Sequence, residues 1–331
     1  MKRSETIPLP EGMHRIQISM SYPLRWVNSY VLLEADGGAT IIDPGPRTSE
    51  TEQEWAEALE GLGISFVDIR QVVLTHHHPD HLGLSGWMQA KSGAPVRMSK
   101  RSYQEAQTMW GEDAAIDEVL PAYFGSHGMP ADKVEQLGLH MKSFHTQVAP
   151  LPEVTYVADG EWLDMGNKRW TAVETGGHAP GHLSFYAPET KELLCGDAVL
   201  PQISPNVSLQ PGSDPEPLAT YIAGLHRLGT LDVAVAYPGH RNPFAAFAER
   251  VSYLLTHHEE RLNKMAERIR EADTHAYDLC IWMFSDRLGT QQLRFAMGET
   301  LAHLQELVSR GIVKQEQRSE GEFVFVANGT A

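Results

Sequence analysis

Gln71 to Gly83 reads QVVLTHHHPDHLG, an apolar run that ends at Thr75 and then sets His76, His78, Asp80 and His81 within six residues. Val72, Val73 and Leu74 read as a strand. Pro79 offers no N–H to a ladder and biases His78 toward extended geometry, so the strand stops and the four side chains sit in a tight loop. Leu82 to Ala90 then reads as a helix with Leu82, Leu84, Trp87 and Met88 on its apolar side. His76 and His78 lie two apart on extended backbone and point the same way, toward one ion, while Asp80 and His81 aim at a neighbouring position. Neutral imidazoles and a carboxylate suit zinc, with iron, manganese or cobalt permissible. Alternation turns His77 away from this pair, toward the surface or into packing. Taken alone, the segment is also compatible with a His-rich surface loop that binds nothing.

Three further pieces follow in order: GGHAPGH (176–182), CGD (195–197) and YPGH (237–240). With THHHPDH (75–81) they resemble the metallo-β-lactamase superfamily, nearest its dinuclear glyoxalase II-like and lactonase-like hydrolases, from about residue 30 to residue 240. The resemblance implies an α+β fold, a four-layer αββα sandwich with metals at one edge of two facing sheets. It implies a first site of His76, His78 and His178, a second of Asp80, His81 and His240, and Asp197 as the bridge between them. His182, four residues past His178, is left out of the ligand set as a supporting or structural residue. Asp43, in Asp43-Pro44-Gly45, orients the metal loop in the family; on its own it reads equally as a turn cap.

Around these motifs the chain punctuates itself. Met1 to Pro10 reads as a charged, proline-bearing surface tail, His14 to Met20 as a first strand, and Asn28 to Glu34 and Ala39 to Asp43 as strands joined by a turn at Ala35 to Gly38. Glu50 to Gly61 has helical spacing and Val67 to Thr75 returns to strand. Residues 100–150 read as a helical insertion heavy in apolar side chains. They either pack the insertion onto the sandwich or form a lid whose Trp110, Tyr123, Phe124 and Met129 line a substrate pocket. His127, His140 and His145 fall outside any motif and read as surface or core. Val154 to Ala158, Lys168 to Glu174, Leu193 to Asp197 and Asp232 to Tyr237 read as strands, Pro215 to Leu228 as a helix, and the stretch beyond Pro243 as a long helix to about Glu271.

The division expected is a catalytic domain over 1–250 and a C-terminal module over 251–331 whose helices and short hairpin (Ile312 to Lys314, Glu322 to Val326) resemble a winged helix. From residue 251 the module holds twelve Asp or Glu against nine Lys or Arg. The whole chain carries 43 acidic and 27 basic residues, a formal charge of −16. That acidity disfavours nucleic acid and acidic membranes as partners, and the module reads instead as a homodimer contact or an active-site cover. Two cysteines, Cys195 and Cys280, give no disulfide framework. With no apolar leader at the N-terminus and no stretch of membrane-spanning length, the reading is a soluble, cytoplasmic protein.

On this basis the expected activity is that of a hydrolase with two zinc ions, iron or manganese being permissible. A hydroxide bridging the metals attacks the carbonyl of a small apolar ester or thioester, and Asp80 steers the nucleophile or relays a proton. Three alternatives stay open: an endoribonuclease or phosphodiesterase of the lactamase-β-like branch, which carries a similar tail; a mononuclear iron persulfide dioxygenase, which shares HxHxDH; and a non-catalytic metal-binding ligand sensor. Leu200 stands where N-acyl homoserine lactonases carry a tyrosine, which counts against that activity.

Overall fold

A computed structural model describes residues 5–20, 24–319 and 321–329. Strands β1 (Thr6–Pro8), β2 (Met13–Ser19), β3 (Trp26–Leu33) and β4 (Ala39–Ile42) run antiparallel in sequence order. Helix α1 (Ser49–Leu62) leads to β5 (Ile69–Val73), which joins β4 in parallel. The short helices α2 (Pro79–Leu82) and α3 (Ser85–Ser92) precede β6 (Val96–Met98), and the insertion α4 (Lys100–Trp110), α5 (Ile116–Ser126), α6 (Ala131–Lys142) and α7 (His145–Val148) precedes β7 (Val154–Tyr156). These seven strands make one sheet. A second sheet has the order β12-β11-β10-β9-β8, from β8 (Trp162–Met165), β9 (Lys168–Glu174), β10 (Leu183–Ala187), β11 (Glu192–Gly196) and β12 (Val235–Pro238). Helix α8 (Pro217–Leu228) makes the parallel crossover from β11 to β12. The chain closes with α9 (Phe247–Glu271), α10 (Ala276–Met283), α11 (Thr290–Ser309) and the antiparallel ribbon β13 (Val313–Gln317) and β14 (Phe323–Ala327).

Period-two alternation builds the four layers. Tyr30, Leu32, Ile42 and Val73 face inward from the first sheet and meet Trp170, Phe185, Leu194 and Tyr237 of the second in a core between the sheets. Tyr30 and Tyr237 touch edge to face with ring centroids 5.8 Å apart. The alternate residues Val31, Ile41, Val72, Leu193 and Cys195 turn outward beneath the helices. Each large side chain so buried contributes about 1.5–3 kcal/mol. Helix α1 illustrates the local logic: Thr48 and Thr51 close a reciprocal capping box, Gly63 ends the helix in the left-handed region, and Trp55, Ala58 and Leu59 form its buried face.

Four expectations need correction. Residues 6–8 lie at the surface but as an edge strand and not a tail, because they supply the second partner of β2 beside β3 (Thr6 opposite Ile16); Met1 to Ser4 lie outside the described residues. The strand expected from Val67 starts only at Ile69, after a tight turn over Phe66–Asp68 in which Asp68 accepts the Ser65 N–H at 2.9 Å. The helix expected over Leu82 to Ala90 is two helices. The Leu84 N–H donates to Gly45 O at 2.8 Å instead of continuing the helical ladder, and this divides α2 from α3. Asp80 and His81 therefore stand on a helical turn opened by Pro79, whose fixed φ suits the first helical position, and not on a loop.

The C-terminal module is not a detached tail. Helix α9 runs unbroken through residue 251, Thr274 pairs with Phe325 across the ribbon, and His127 of the insertion stacks on Phe323 at 5.0 Å. Among the described residues no helix is long and apolar enough to cross a membrane.

Candidate metal centre

Five of the seven proposed ligands follow the end of a strand, and Asp80 and His81 stand on α2 just beyond β5. His76 and His78 follow β5, with His76 Nε2 and His78 Nδ1 3.0 Å apart. His178 follows β9, Asp197 follows β11 and His240 follows β12. The ligand atoms of His76, His78 and His178 all lie within 4.8 Å of one another, and so do those of Asp80, His81 and His240. Between the two triads sits Asp197 Oδ2, 3.5 Å from His81 Nε2, 3.6 Å from His178 Nε2 and 3.3 Å from His240 Nε2.

These spacings are long for hydrogen bonds, but ligands about 2.1 Å from a tetrahedral zinc stand about 3.4 Å from each other. The buried atoms His81 Nε2, His178 Nε2 and Asp197 Oδ1 have no hydrogen-bond partner, although a buried polar atom left unsatisfied costs about 1–3 kcal/mol. Aimed at one point, they fit a pair of cations. Asp43, which also lies within reach of His76 and His81, is already engaged by protein donors.

The surrounding hydrogen bonds set the tautomers. Asp43 accepts the Thr75 N–H at 2.8 Å, the Thr75 hydroxyl at 2.6 Å and His81 Nδ1–H at 2.9 Å. Since the Thr75 proton goes to Asp43, its oxygen accepts Nδ1–H of His76 at 2.9 Å. His178 Nδ1 donates to Asn206 O at 2.7 Å and His240 Nδ1 to Trp26 O at 3.2 Å. In each of these four rings the Nε2 lone pair is thereby turned to the centre. His182 takes the supporting place: its Nε2 accepts the Asp197 N–H at 3.1 Å and its Nδ1 donates to Thr175 Oγ1 at 2.9 Å.

Two glycines and one strained aspartate make room. Gly196 has φ +48°, and a Cβ there would lie 2.6 Å from His182 Nε2; a Cβ on Gly239 would lie 2.3 Å from Asp197 Oδ1. Asp43 holds φ +49°, a left-handed conformation that costs a non-glycine residue about 1–3 kcal/mol and persists where the surroundings overdetermine it. Its three hydrogen bonds supply that.

Electrostatics divide the centre. Burial, then the charges of neighbouring imidazoles, hold His76 and His78 well below the ordinary histidine range. Burial also opposes a proton on His240, but Asp197 and Asp80 outweigh it and push the ring up to about 10. Asp197 is held well below the usual carboxylate range, burial being overcome by His240 and His81. The second triad thus attracts positive charge strongly, and an ion binding there displaces protons.

A cavity of about 340 Å³ opens over this centre, with His78, Asp80, His178, Asp197 and His240 in its lining. Trp110 and Phe124 of the insertion form part of its wall together with Met109, Leu120 and Phe144. Tyr123 and Met129, also expected in the pocket, stand elsewhere. Tyr123 packs on His127 with ring centroids 4.5 Å apart, and Met129 lines a separate cavity of about 110 Å³ between α6 and α11. Helical periodicity explains the split: α5 turns Leu120 and Phe124 to the centre and Tyr123 sideways. His77 is buried, the packing alternative, and its carbonyl accepts Trp110 Nε1–H at 3.0 Å. His127, His140 and His145 do not join the centre.

The motifs did not reveal the remaining lining: Leu200, Ile203 and Asn206 after β11, and Arg294, Phe295 and Glu299 of α11. The apolar stripe of α11 marks Leu293 and Ala296 as core, and the residues between them carry no motif.

Residues 24–240 match the family described as "Metallo-beta-lactamase superfamily", and residues 262–328 match "Metallo-beta-lactamase-like, C-terminal domain". "Probable metallo-hydrolase YqjP" of Bacillus subtilis is 27% identical over 300 residues, covering 88% of this chain and 91% of that one. A metallo-beta-lactamase family protein from Thermus thermophilus superposes with a TM-score of 0.85 at 32% identity, covering 96% of this chain and 99% of its own. More distantly, an atrochrysone carboxyl ACP thioesterase of Aspergillus fumigatus is 23% identical over 254 residues, 76% of this chain and 46% of that one. The sheet order, the two ligand triads about Asp197 and these matches together make the chain a member of the metallo-β-lactamase superfamily, of the metal-dependent hydrolase kind.

Proposed function

We propose that the chain hydrolyses an ester or thioester of a small acyl substrate, using two divalent cations held by His76, His78 and His178, by Asp80, His81 and His240, and by Asp197 between them. The observation that carries this reading is the cavity itself: its floor is the ligand cluster and its insertion wall is apolar, Met109, Trp110, Leu120, Phe124 and Phe144. Divalent ions in such a centre supply an acidified water and Lewis-acid polarisation of a carbonyl. The chain's own residues do the rest. The apolar wall binds the acyl chain and excludes water from it. Asp80, whose side chain is 19% exposed and therefore the most open of the carboxylates, faces the cavity and can accept a proton there or steer the attacking water. Asp43 and His182 keep the ligand side chains in place.

The name of the Aspergillus relative, a thioesterase, supports the thioester half of the proposal. Zinc is the ion that the donor set favours, with iron or manganese compatible. An assay panel of acyl thioesters, aryl esters, lactones and phosphodiesters, run on protein loaded with zinc or manganese, tests the reading. Turnover of thioesters or esters is expected; turnover of phosphodiesters alone sinks it.

A further inference from the structure

The second triad spans the two sheets. Asp80 and His81 stand on α2 just beyond β5, whereas His240 follows β12, so its geometry depends on how the loop after β12 is fastened to the first sheet. Asn28 of β3 is the fastening. Its Nδ2 donates to Pro238 O at 2.9 Å and to Arg241 O at 2.6 Å, and its backbone N–H donates to Gly239 O at 2.7 Å. One buried residue thus takes three carbonyls around His240. Both side-chain contacts are carbonyl oxygens, which fixes the orientation of the amide. Two residues earlier on the same strand, Trp26 O accepts Nδ1–H of the His240 ring. Arg241 holds φ +72°, a left-handed conformation that persists where neighbours overdetermine it; Asn28 Nδ2 and Arg15 Nη1, the latter at 3.2 Å, both take its carbonyl. The loop has no slack toward the centre, because a Cβ on Gly239 would lie 2.6 Å from His81 Cε1. One atom of the clamp goes unserved: Asn28 Oδ1 is buried without a hydrogen-bond partner among the described residues. Stability alone gives no reason to bury half an amide in this way; holding His240 in place does.

We infer that Asn28 is a positioning residue for the cation site of Asp80, His81 and His240. By fixing the carbonyls that flank His240 it sets that ring against the two ligands on α2, so the affinity of this site depends on Asn28 and that of the site of His76, His78 and His178 does not. His178, the member of the first triad that comes from the second sheet, is held elsewhere, by Asn206 O at 2.7 Å, which makes the two sites separable. The inference rests on the two-ion reading above, and metal-free protein tests it apart from that reading.

The test titrates metal-free full-length protein with zinc against a competing chelator and reads the affinity of each ion; the step that His240→Ala abolishes marks the second site. Asn28→Ala should weaken that step about tenfold or more, the worth of a support behind a ligand, while the other step stays within about threefold. Asn28→Leu should do the same with the volume kept, and serves if the alanine variant does not fold. Tyr30→Phe removes another donor to Pro238 O, at 2.7 Å, but leaves Gly239 and Arg241 held, and should change neither step. Equal weakening of both steps in the Asn28 variants, unchanged affinity in them, or the same selective loss in Tyr30→Phe overturns the inference. Hydrogen exchange of the metal-free proteins is the second readout. Residues 239–242 should exchange about tenfold faster in the Asn28 variants than in the unmodified chain, with residues 175–178 unchanged; equal protection of 239–242 overturns the inference. If the unmodified chain takes up fewer than two ions, the two-ion reading fails, and hydrogen exchange alone decides whether Asn28 positions His240.

Discussion

The carbonyl of Asn206 accepts Nδ1–H of His178 at 2.7 Å, and the side chain of the same Asn206 donates to Glu299 of α11 at 3.2 Å. A ring of the proposed metal centre is thus held, through one residue, by the C-terminal module. Glu299 is itself buried against Arg261. Replacing it with alanine strands that arginine and takes one acceptor from Asn206 Nδ2, which keeps the Phe295 carbonyl at 3.1 Å; this should cost about 3–5 kcal/mol of stability. Loosening the support of His178 should also weaken metal binding about tenfold. Glu299→Gln keeps a partner for Asn206 and should do less to the metal. Chelator competition and urea unfolding measure the two effects; full metal affinity in Glu299→Ala would show that Asn206 needs no help from Glu299.

Ion content should follow the two triads. His240→Ala removes a ligand from the Asp80 triad alone, so elemental analysis is expected to find about one ion fewer per chain, with the first site retained. His182→Ala leaves every proposed ligand in place and withdraws the acceptor of the Asp197 N–H together with the donor to Thr175 Oγ1. It should keep both ions while lowering affinity about 10- to 100-fold. Loss of both ions from His182→Ala would move that ring into the ligand set.

Phe124 is fully buried and also lines the cavity. Phe124→Ala should destabilise the chain by about 3–5 kcal/mol and raise KM for longer acyl chains more than for acetyl, with kcat little changed, because it removes binding surface and no reacting group. Steady-state kinetics over an acyl-length series checks this; a uniform fall in kcat at every length would contradict it.

Acid should weaken the fold through two rings outside the ligand cluster. His258 Nδ1 and His303 Nε2 are 3.0 Å apart between α9 and α11. Burial above all, with nearby positive charge, pushes them down to about 2 and about 3. In the unfolded chain both titrate near the ordinary value of about 6.5. Their neutral burial therefore costs nothing above pH 6.5, but below it the unfolded chain binds protons that the fold refuses. Stability then falls with pH by up to about 1.4 kcal/mol per unit for each ring, until the pH nears 3. His303→Gln should make the fall between pH 6.5 and 4 shallower, as read from urea unfolding at several pH values. An identical slope in the variant would refute the assignment.

The site was legible in the sequence where chemistry forces residue types into fixed spacing. His76, His78, Asp80 and His81 stand out because an ion needs several donors on one short segment, and GGH, CGD and PGH because a ligand at a strand end needs glycine beside it. The sandwich was implied by the resemblance to the metallo-β-lactamase superfamily, and the strands read from alternation survive in the register, Tyr30 opposite Ile42 and Val31 opposite Ile41. What escaped was set by tertiary contact. Arg294 and Phe295 reach the cavity only because α11 folds back onto the insertion, and no local pattern distinguishes them from an exposed turn of helix. Tyr123 and Phe124 are neighbours of like composition, and only the rotation of α5 decides which one faces the centre. The first strand, β1, is three residues long, and its pairing with β2 leaves almost no trace in composition.

The side chains positioned to grip ions all belong to the sandwich, whereas Arg294, Phe295 and Glu299 arrive from a helix some fifty residues beyond its last motif. The proposed ligands and this part of the cavity wall are thus encoded in different parts of the gene. Exchanging residues 290–299 alone is expected to alter what the cavity admits while leaving the ligand cluster untouched, so shape and chemistry could change one at a time.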